Sequence, residues 1–299
     1  MLVLSPRPTL ATVTELFKPI TWFPPMWAFA CGVVASGVAM QGNWLLAVVG
    51  VALAGPLVCA TSQAVNDWYD RHVDAINEPM RPIPSGRMPG QWGFYIAILW
   101  TLVSMLVSTV LGVWGFCAAV IGLALAWAYS APPLRLKENG WWGNAACGFS
   151  YEGIAWATGA AVMAGGVMPD SRSLLLALLY SIGTHGIMTL NDFKAVEGDR
   201  QMGVRSLPVQ LGVQNAAWVA CVIMIASQAA VVALLLYWGK PVHAGAIVGL
   251  MLAQLLMMRR FLRSVTERAL WYSGFGVPLF VGGMMVSAFA LRGLIQAAQ

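Results

Sequence analysis

The stretch that decides the fold reads WLLAVVGVALAGPLVCATSQAV over residues 44–65 and passes without a break into NDWYDRHVDAINEPMRPIPSGR over residues 66–87. Its first part has about the 20 apolar residues that a helix needs to cross a hydrocarbon layer. Its second part is crowded with acids and arginines. If the helix continues into it, Asn66, Asp70 and Asp74 recur at i, i+4 and i+8 and put three oxygen-bearing side chains on one face, about 6 Å per step. Such a row suits magnesium, a hard cation that keeps several waters and completes its shell with substrate phosphates. Arg71, Arg81 and Arg87 lie in the same stretch, and guanidinium groups fork onto phosphate oxygens. Acids for a cation beside cations for phosphate are what a metal-bound diphosphate requires.

A second stretch, NDFKAVEGDRQMGVRSLP over 191–208, also follows an apolar run and echoes the first. Asn66-Asp67-Trp68 matches Asn191-Asp192-Phe193, and Arg81-Pro82-Ile83-Pro84 matches Arg205-Ser206-Leu207-Pro208. The echo predicts a single domain over 1–299 built of two pseudo-repeat halves, about 20–140 and 144–291. Membrane proteins duplicated in this way often form their site between the halves.

Working outward, the chain is 59% hydrophobic and 10% charged, with a mean hydropathy of +0.71. Soluble domains carry about 25% charged residues, so the composition predicts an all-α, polytopic membrane bundle. Nine segments are apolar enough to cross, roughly 20–40, 44–65, 92–111, 113–130, 144–165, 173–190, 215–238, 242–258 and 270–291. Met1 to Lys18 is amphipathic and contains prolines, without a charged start and a small-residue cleavage site, so it reads as an uncleaved lead-in. Nine crossings would put all of the 17 Lys and Arg except Arg172, Lys240 and Arg292 on the N-terminal side. By the positive-inside rule that side, with both acidic motifs, is cytoplasmic. The net charge of +5 then reports topology, and a nucleic-acid partner is not expected, because no soluble domain is left to carry one.

The connections on that side, near 66–91, 131–143, 191–214 and 259–269, are long and charged, whereas those near 41–43, 112, 166–172 and 239–241 are short. Long loops gathered at one end predict cap loops over a cavity. In the stretch WAYSAPPLRLKENGWWGN over 127–144, Tyr129 and Ser130 stand at a helix exit that Pro132-Pro133 stops, and Arg135 and Lys137 follow on an expected extended segment within reach of a diphosphate. Glu152 and His185 are ionisable residues inside expected spans, candidates by default for function, although a histidine satisfied between helices is as ordinary. His72 reads equally as a site residue or a solvated helix end. The five cysteines, with no C-x-x-C pair, read as small buried apolar residues.

Two acidic clusters at helix mouths argue against a proton or ion pathway, whose groups sit near the bilayer midplane. One such cluster is explained by the solvation of a helix end; two in register are not. The pattern resembles the intramembrane polyprenyltransferases of the UbiA superfamily, which carry N-x-x-x-D-x-x-x-D after the second of nine helices and an acidic motif after the sixth. Asn66, Asp70 and Asp74 fit the first. In the second this chain has Ala195 where common members have an acid, leaving Asp192, Glu197 and Asp199. Within the superfamily the stretches 129–137, 139–144 and 191–200 resemble the chlorophyll and bacteriochlorophyll synthase branch, and Ser150-Tyr151-Glu152-Gly153 points to the bacteriochlorophyll side.

That resemblance implies a Mg2+-dependent enzyme that transfers a geranylgeranyl or phytyl group from a prenyl diphosphate to the propionate of a magnesium tetrapyrrole, bacteriochlorophyllide, and releases diphosphate. It implies a place in the bacterial inner, photosynthetic intracytoplasmic membrane. Asn66, Asp70, Asp74, Asp192, Glu197 and Asp199 would hold metal, with Asp70, Asp74, Asp192 and Asp199 central to catalysis. Arg71, Arg81, Tyr129, Ser130, Lys137, Lys194 and Arg200 would meet the substrates. The same chemistry on an aromatic quinone precursor, and a pigment-binding membrane protein without catalysis, are the competing readings; Ala195 and the 129–144 stretch weigh against the first, the paired acidic motifs against the second.

Overall fold

In a bilayer every backbone polar group must be paired within its own segment, and the computed structural model, which describes residues 7–297, is accordingly helical. Among the described residues the one β-type contact is a parallel bridge between Asn139 and Arg205. Residues 1–6 of the expected lead-in lie outside the described residues, and the remainder carries α1 (Leu10–Phe17). Helix α2 (Phe23–Ala35) starts on Pro24 and Pro25, where the missing N–H groups cost nothing. Helices α3 (Trp44–Ala52) and α4 (Ala60–Asn77) form one rod joined by a π-helical segment, Leu53–Cys59, that contains Pro56. The Pro56 carbonyl in that segment accepts the Trp100 indole N–H at 2.9 Å.

Helices α5 (Trp92–Ser108) and α6 (Gly112–Ser130) reverse at Gly112, whose φ of 69° lies in the region that favours glycine. The start of α5 packs on the end of α6, with Phe94 and Trp127 ring centroids 6.1 Å apart. Helices α7 (Gly140–Gly148) and α8 (Ala155–Met163) again form one rod, joined by the π-helical segment Phe149–Ile154. After α9 (Ser171–Asp192) come two short helices, α10 (Val196–Gln201) and α11 (Leu207–Leu211). The chain ends in α12 (Val213–Tyr237), α13 (Pro241–Phe261), α14 (Val265–Phe275) and α15 (Val277–Ile295).

Among the described residues six helical runs are long and apolar enough to cross a membrane: Trp44–Ile76, Trp92–Ser130, Ser171–Asp192, Val213–Tyr237, Pro241–Phe261 and Val265–Ile295. The expectation from sequence is nine, and the difference has identifiable sources. Trp92–Ser130 holds two of the expected segments on either side of Gly112. Phe23–Ala35 has 13 residues, and the α7–α8 rod carries Asn144 and the buried Glu152 in its apolar run.

Helix α9 runs through the middle and packs against α7, α12 and α15. Crossings depend on glycine: a Cβ on Gly148 would stand 2.4 Å from the Ser181 carbonyl oxygen, and one on Gly186 2.5 Å from that of Ala220. Close backbone approach of this kind replaces the hydrophobic drive that lipid removes. Buried polar side chains find partners between helices, Tyr180 with Ser287 at 2.7 Å and the Gln254 amide donating to Gln228 at 3.0 Å. Trp156, Tyr180 and Phe280 form an aromatic chain through the core, with centroids 6.0 and 5.4 Å apart. Large apolar residues face outward on the spans, among them Leu102, Leu106, Val113, Leu252 and Leu256. Cys117 is exposed among them, against the expectation that all five cysteines are buried.

Candidate active site

One cavity of about 920 Å³ opens between the helices. Its mouth is lined by Asn66, Asp70 and Asp74 from α4 and by Asn191, Glu197 and Asp199 from the end of α9 and α10. Its depth is lined mainly by apolar side chains such as Phe29, Leu53, Leu125, Ile187 and Val281, with the buried Glu152 and Thr184 among them. Asn66, Asp70 and Asp74 come to one wall because α4 stays helical to Asn77, well past the apolar run. The Asn66 amide donates to Asp70 Oδ2 at 2.9 Å and to Ser130 Oγ at 3.3 Å. Ser130 is buried and does not line the cavity, against the expectation that it meets substrate; it accepts from the Asn66 amide and orients it.

Cations sit on these acids, Arg81 within the cavity lining and Lys137 and Arg135 just outside it. Lys137 Nζ donates to Asp70 Oδ1, with an Arg135 guanidinium nitrogen 3.9 Å from the same atom. Arg81 donates to Asp74 at 2.7 Å and Glu78 at 2.6 Å, and reaches Asp67 at 3.4 Å. Burial lowers the Lys137 ammonium below the usual lysine range, and Asp70 pulls the other way. Burial pushes the Asp199 carboxyl above the usual carboxylate range, and the charge of Asp70, from the other motif, adds to it. Asp70 and Asp199 line the same cavity.

Lys137 arrives there through a tie between two loops. Gly140 N–H donates to the Arg205 carbonyl at 2.9 Å, and Arg205 N–H donates to the Glu138 carbonyl at 2.8 Å. This tie corrects the expected extended segment: Leu136–Glu138 is a 3-10 turn that follows Arg135 at a φ of 36°. Tyr129 and Lys194 both line the cavity.

Three sequence expectations are corrected. Arg71 turns away from the cavity, donates to the Trp68 carbonyl at 2.7 Å, and stacks its guanidinium 4.2 Å from the centre of the Trp68 ring. A residue next to Asp70 in a helix points about 100° around the axis from it, toward the neighbouring face. Arg200 is exposed and pairs with Glu197 at 3.2 Å, outside the cavity lining. Arg87 pairs with Glu15 of α1 at 2.5 Å on the surface. His72 is exposed. Asp192 stands behind the cavity wall beside Asn144 and Asp199, and its Oδ2 is buried without a hydrogen-bond partner.

Among the described residues no group of three His, Cys, Asp or Glu converges as a preformed cage. The donors nonetheless fit magnesium: all are hard oxygens, they line one mouth from two sides, and magnesium takes one or two carboxylates with waters and phosphate oxygens. The sequence reading overlooked Lys18, which donates to the buried Asp67 at 2.5 Å, and Asn191, which lines the cavity. Lys18 gave no signal in sequence beyond Pro19 after it; its φ of 46° aims it back at α4.

The sequence model of the UbiA prenyltransferase family matches residues 21–288. The chain belongs to this family. A bacteriochlorophyll synthase 33 kDa chain from Cereibacter sphaeroides is 56% identical over 98% of this prenyltransferase and 97% of the relative. A chloroplastic chlorophyll synthase from Oryza sativa subsp. japonica is 40% identical, over 92% of this chain and 75% of the relative. A UbiA homolog from Archaeoglobus fulgidus, solved bound to DMAPP and Mg2+, shares the fold with a TM-score of 0.61 at 16% identity, over 95% of this chain and 99% of that one.

Proposed function

We propose that this prenyltransferase is a bacteriochlorophyll synthase, which transfers a geranylgeranyl or phytyl group from its diphosphate to the propionate carboxylate of bacteriochlorophyllide and releases diphosphate. One observation carries the reading: two acidic motifs, 120 or so residues apart in sequence, line the mouth of one cavity whose depth is mainly apolar. The named relatives point to the tetrapyrrole acceptor. We read the chain as one intramembrane domain of nine crossings in two pseudo-repeat halves, with the mouth on the cytoplasmic face of the bacterial inner, photosynthetic intracytoplasmic membrane.

Of the six expected ligands, Asn66, Asp70, Asp74, Glu197 and Asp199 are the residues that would hold Mg2+, and Asp192, behind the wall, is not placed to reach it. Bound there, Mg2+ supplies positive charge to the diphosphate as the allylic C–O bond breaks. Lys137 and Lys194 supply further positive charge for phosphate oxygens at the same mouth. Arg81, tied to three acids, holds Asp74 and Asp67 in place. The apolar depth takes the isoprenoid chain, where each buried methylene contributes about 0.8 kcal/mol, and keeps water from the electrophilic carbon. The acceptor propionate is ionised at neutral pH and attacks without a general base.

Membranes from an expressing host, given Mg2+, geranylgeranyl diphosphate and either bacteriochlorophyllide, chlorophyllide or a hydroxybenzoate, are expected to yield the bacteriochlorophyllide ester as the main product. Chelation should stop turnover and Mg2+ should restore it. A prenylated hydroxybenzoate as the sole product would overturn the assignment. For Lys137→Ala, loss of one charge-assisted contact is expected to raise KM for prenyl diphosphate about tenfold while leaving that for the tetrapyrrole nearly unchanged. Equal effects on both substrates would remove Lys137 from the diphosphate site.

A further inference from the structure

Outside the cavity the strongest concentration of charge is at the junction of α13 and α14. Arg259, Arg260, Arg263 and Arg268 line one surface pocket of about 370 Å³ together with Leu256. Among the described residues none of the four is in an ion pair, although Glu267 is their neighbour in sequence. The pocket is shaped by two internal contacts. Arg268 donates to the Arg260 carbonyl at 2.6 Å, which covers part of the negative end of α13, and Arg260 lies 5.0 Å over the Trp271 ring. Arg259 and Arg263 are exposed and make neither contact.

The pocket lies at the level where a lipid headgroup would be. It follows directly on the membrane span Pro241–Phe261, little of whose apolar length is buried. Leu252, Leu255 and Leu256 are exposed on that span just before the arginines. It also lies at the same end of the bundle as the acidic motifs: the Gln214 amide donates to the Leu262 carbonyl at 3.2 Å, and Phe193, after α9, packs on Phe261 with centroids 5.9 Å apart. Four guanidinium groups over an apolar helix face match a phosphate with acyl chains below it, since arginine binds phosphate through paired N–H donors. Basic pockets at the cytoplasmic ends of membrane helices bind anionic headgroups on these grounds.

We propose that this pocket is a binding site for the headgroup of an anionic phospholipid, separate from the prenyl-transfer cavity. The lipid phosphate sits among Arg259, Arg260, Arg263 and Arg268, and its chains lie along Leu252 and Leu256. Positive charge placed only to fix topology would attract anionic lipid diffusely and would not hold a defined number of molecules.

The test is native mass spectrometry of the full-length protein in zwitterionic detergent with phosphatidylglycerol, cardiolipin or phosphatidylcholine added. The wild-type protein is expected to retain phosphatidylglycerol or cardiolipin in discrete stoichiometry over phosphatidylcholine. Arg259→Gln with Arg263→Gln, which spares the two arginines that make internal contacts, should lower that retention about tenfold. Prenyl transfer in detergent should be unchanged in the variant, which separates this site from the catalytic one. Equal retention of anionic and zwitterionic lipid, or equal retention by variant and wild type, overturns the proposal. Protection of the site by inorganic phosphate with no lipid retained overturns it too, in favour of a soluble anion.

Discussion

Asp70→Asn is expected to lower prenyl transfer by at least about 10²-fold, the scale on which removal of one preorganised electrostatic group acts, while the protein still inserts and folds. Asp70 is where the site's charges meet: its two oxygens take the Asn66 amide and the Lys137 ammonium, and it lines the same cavity as Asp199. Asparagine keeps the shape and removes the charge. It also presents an amide N–H2 where two donors already point, so Asn66 or Lys137 must give up a partner. Both losses fall on the groups that would grip a metal-bound diphosphate. The measurement is product formation by purified, detergent-stable protein, with circular dichroism to establish that the helices are intact. More than a tenth of wild-type activity in such a preparation would falsify the role assigned to Asp70.

Gly32→Ala is expected to cost about 3 kcal/mol or more by overpacking, which lowers the melting temperature by about 10 °C. A Cβ there would stand 2.0 Å from the Trp156 carbonyl oxygen and 2.9 Å from the Ala160 nitrogen. Both are backbone atoms of the α7–α8 rod and have no rotamer by which to move aside. The crossing is reciprocal, since a Cβ on Gly159 would stand 2.3 Å from the Phe29 carbonyl oxygen. Helix α2 also brings Phe29 and Pro25 to the cavity wall, so pushing it outward widens the space meant for the isoprenoid. Gly249→Ala is the control: nothing lies within 4 Å of its added Cβ, and alanine favours a helix. Similar melting temperatures for Gly32→Ala and Gly249→Ala would show that the α2–α8 crossing tolerates a wider spacing.

Arg71, which left the site, and Arg81, which stayed in it, show where reading the sequence stops. Arg71 and Arg81 are equally near Asp70 and Asp74 on paper. Helical period alone puts Arg71 off the Asn66–Asp70–Asp74 face, and Trp68, three residues before it, offers a ring and a carbonyl to receive it. Arg81 lies beyond the end of α4, where a turn folds it back onto Asp74. Lys137 shows the reverse: its place on Asp70 depends on backbone hydrogen bonds between residues 138–140 and Arg205, a contact between distant loops that no local pattern announces.

The sequence by itself determined that the chain is a helical membrane protein with two oxygen-rich helix ends, because apolar length and a four-residue acidic spacing are local properties of a helix. It also carried the family resemblance, in motifs short enough to read directly. Only the tertiary structure decided which cations meet those acids, that both motifs open on one cavity, and that Asp192 stands behind its wall. Those facts follow from how glycine-paired helices cross and how loops tie together, and such contacts join residues far apart in the chain whose positions are fixed only once the helices are packed.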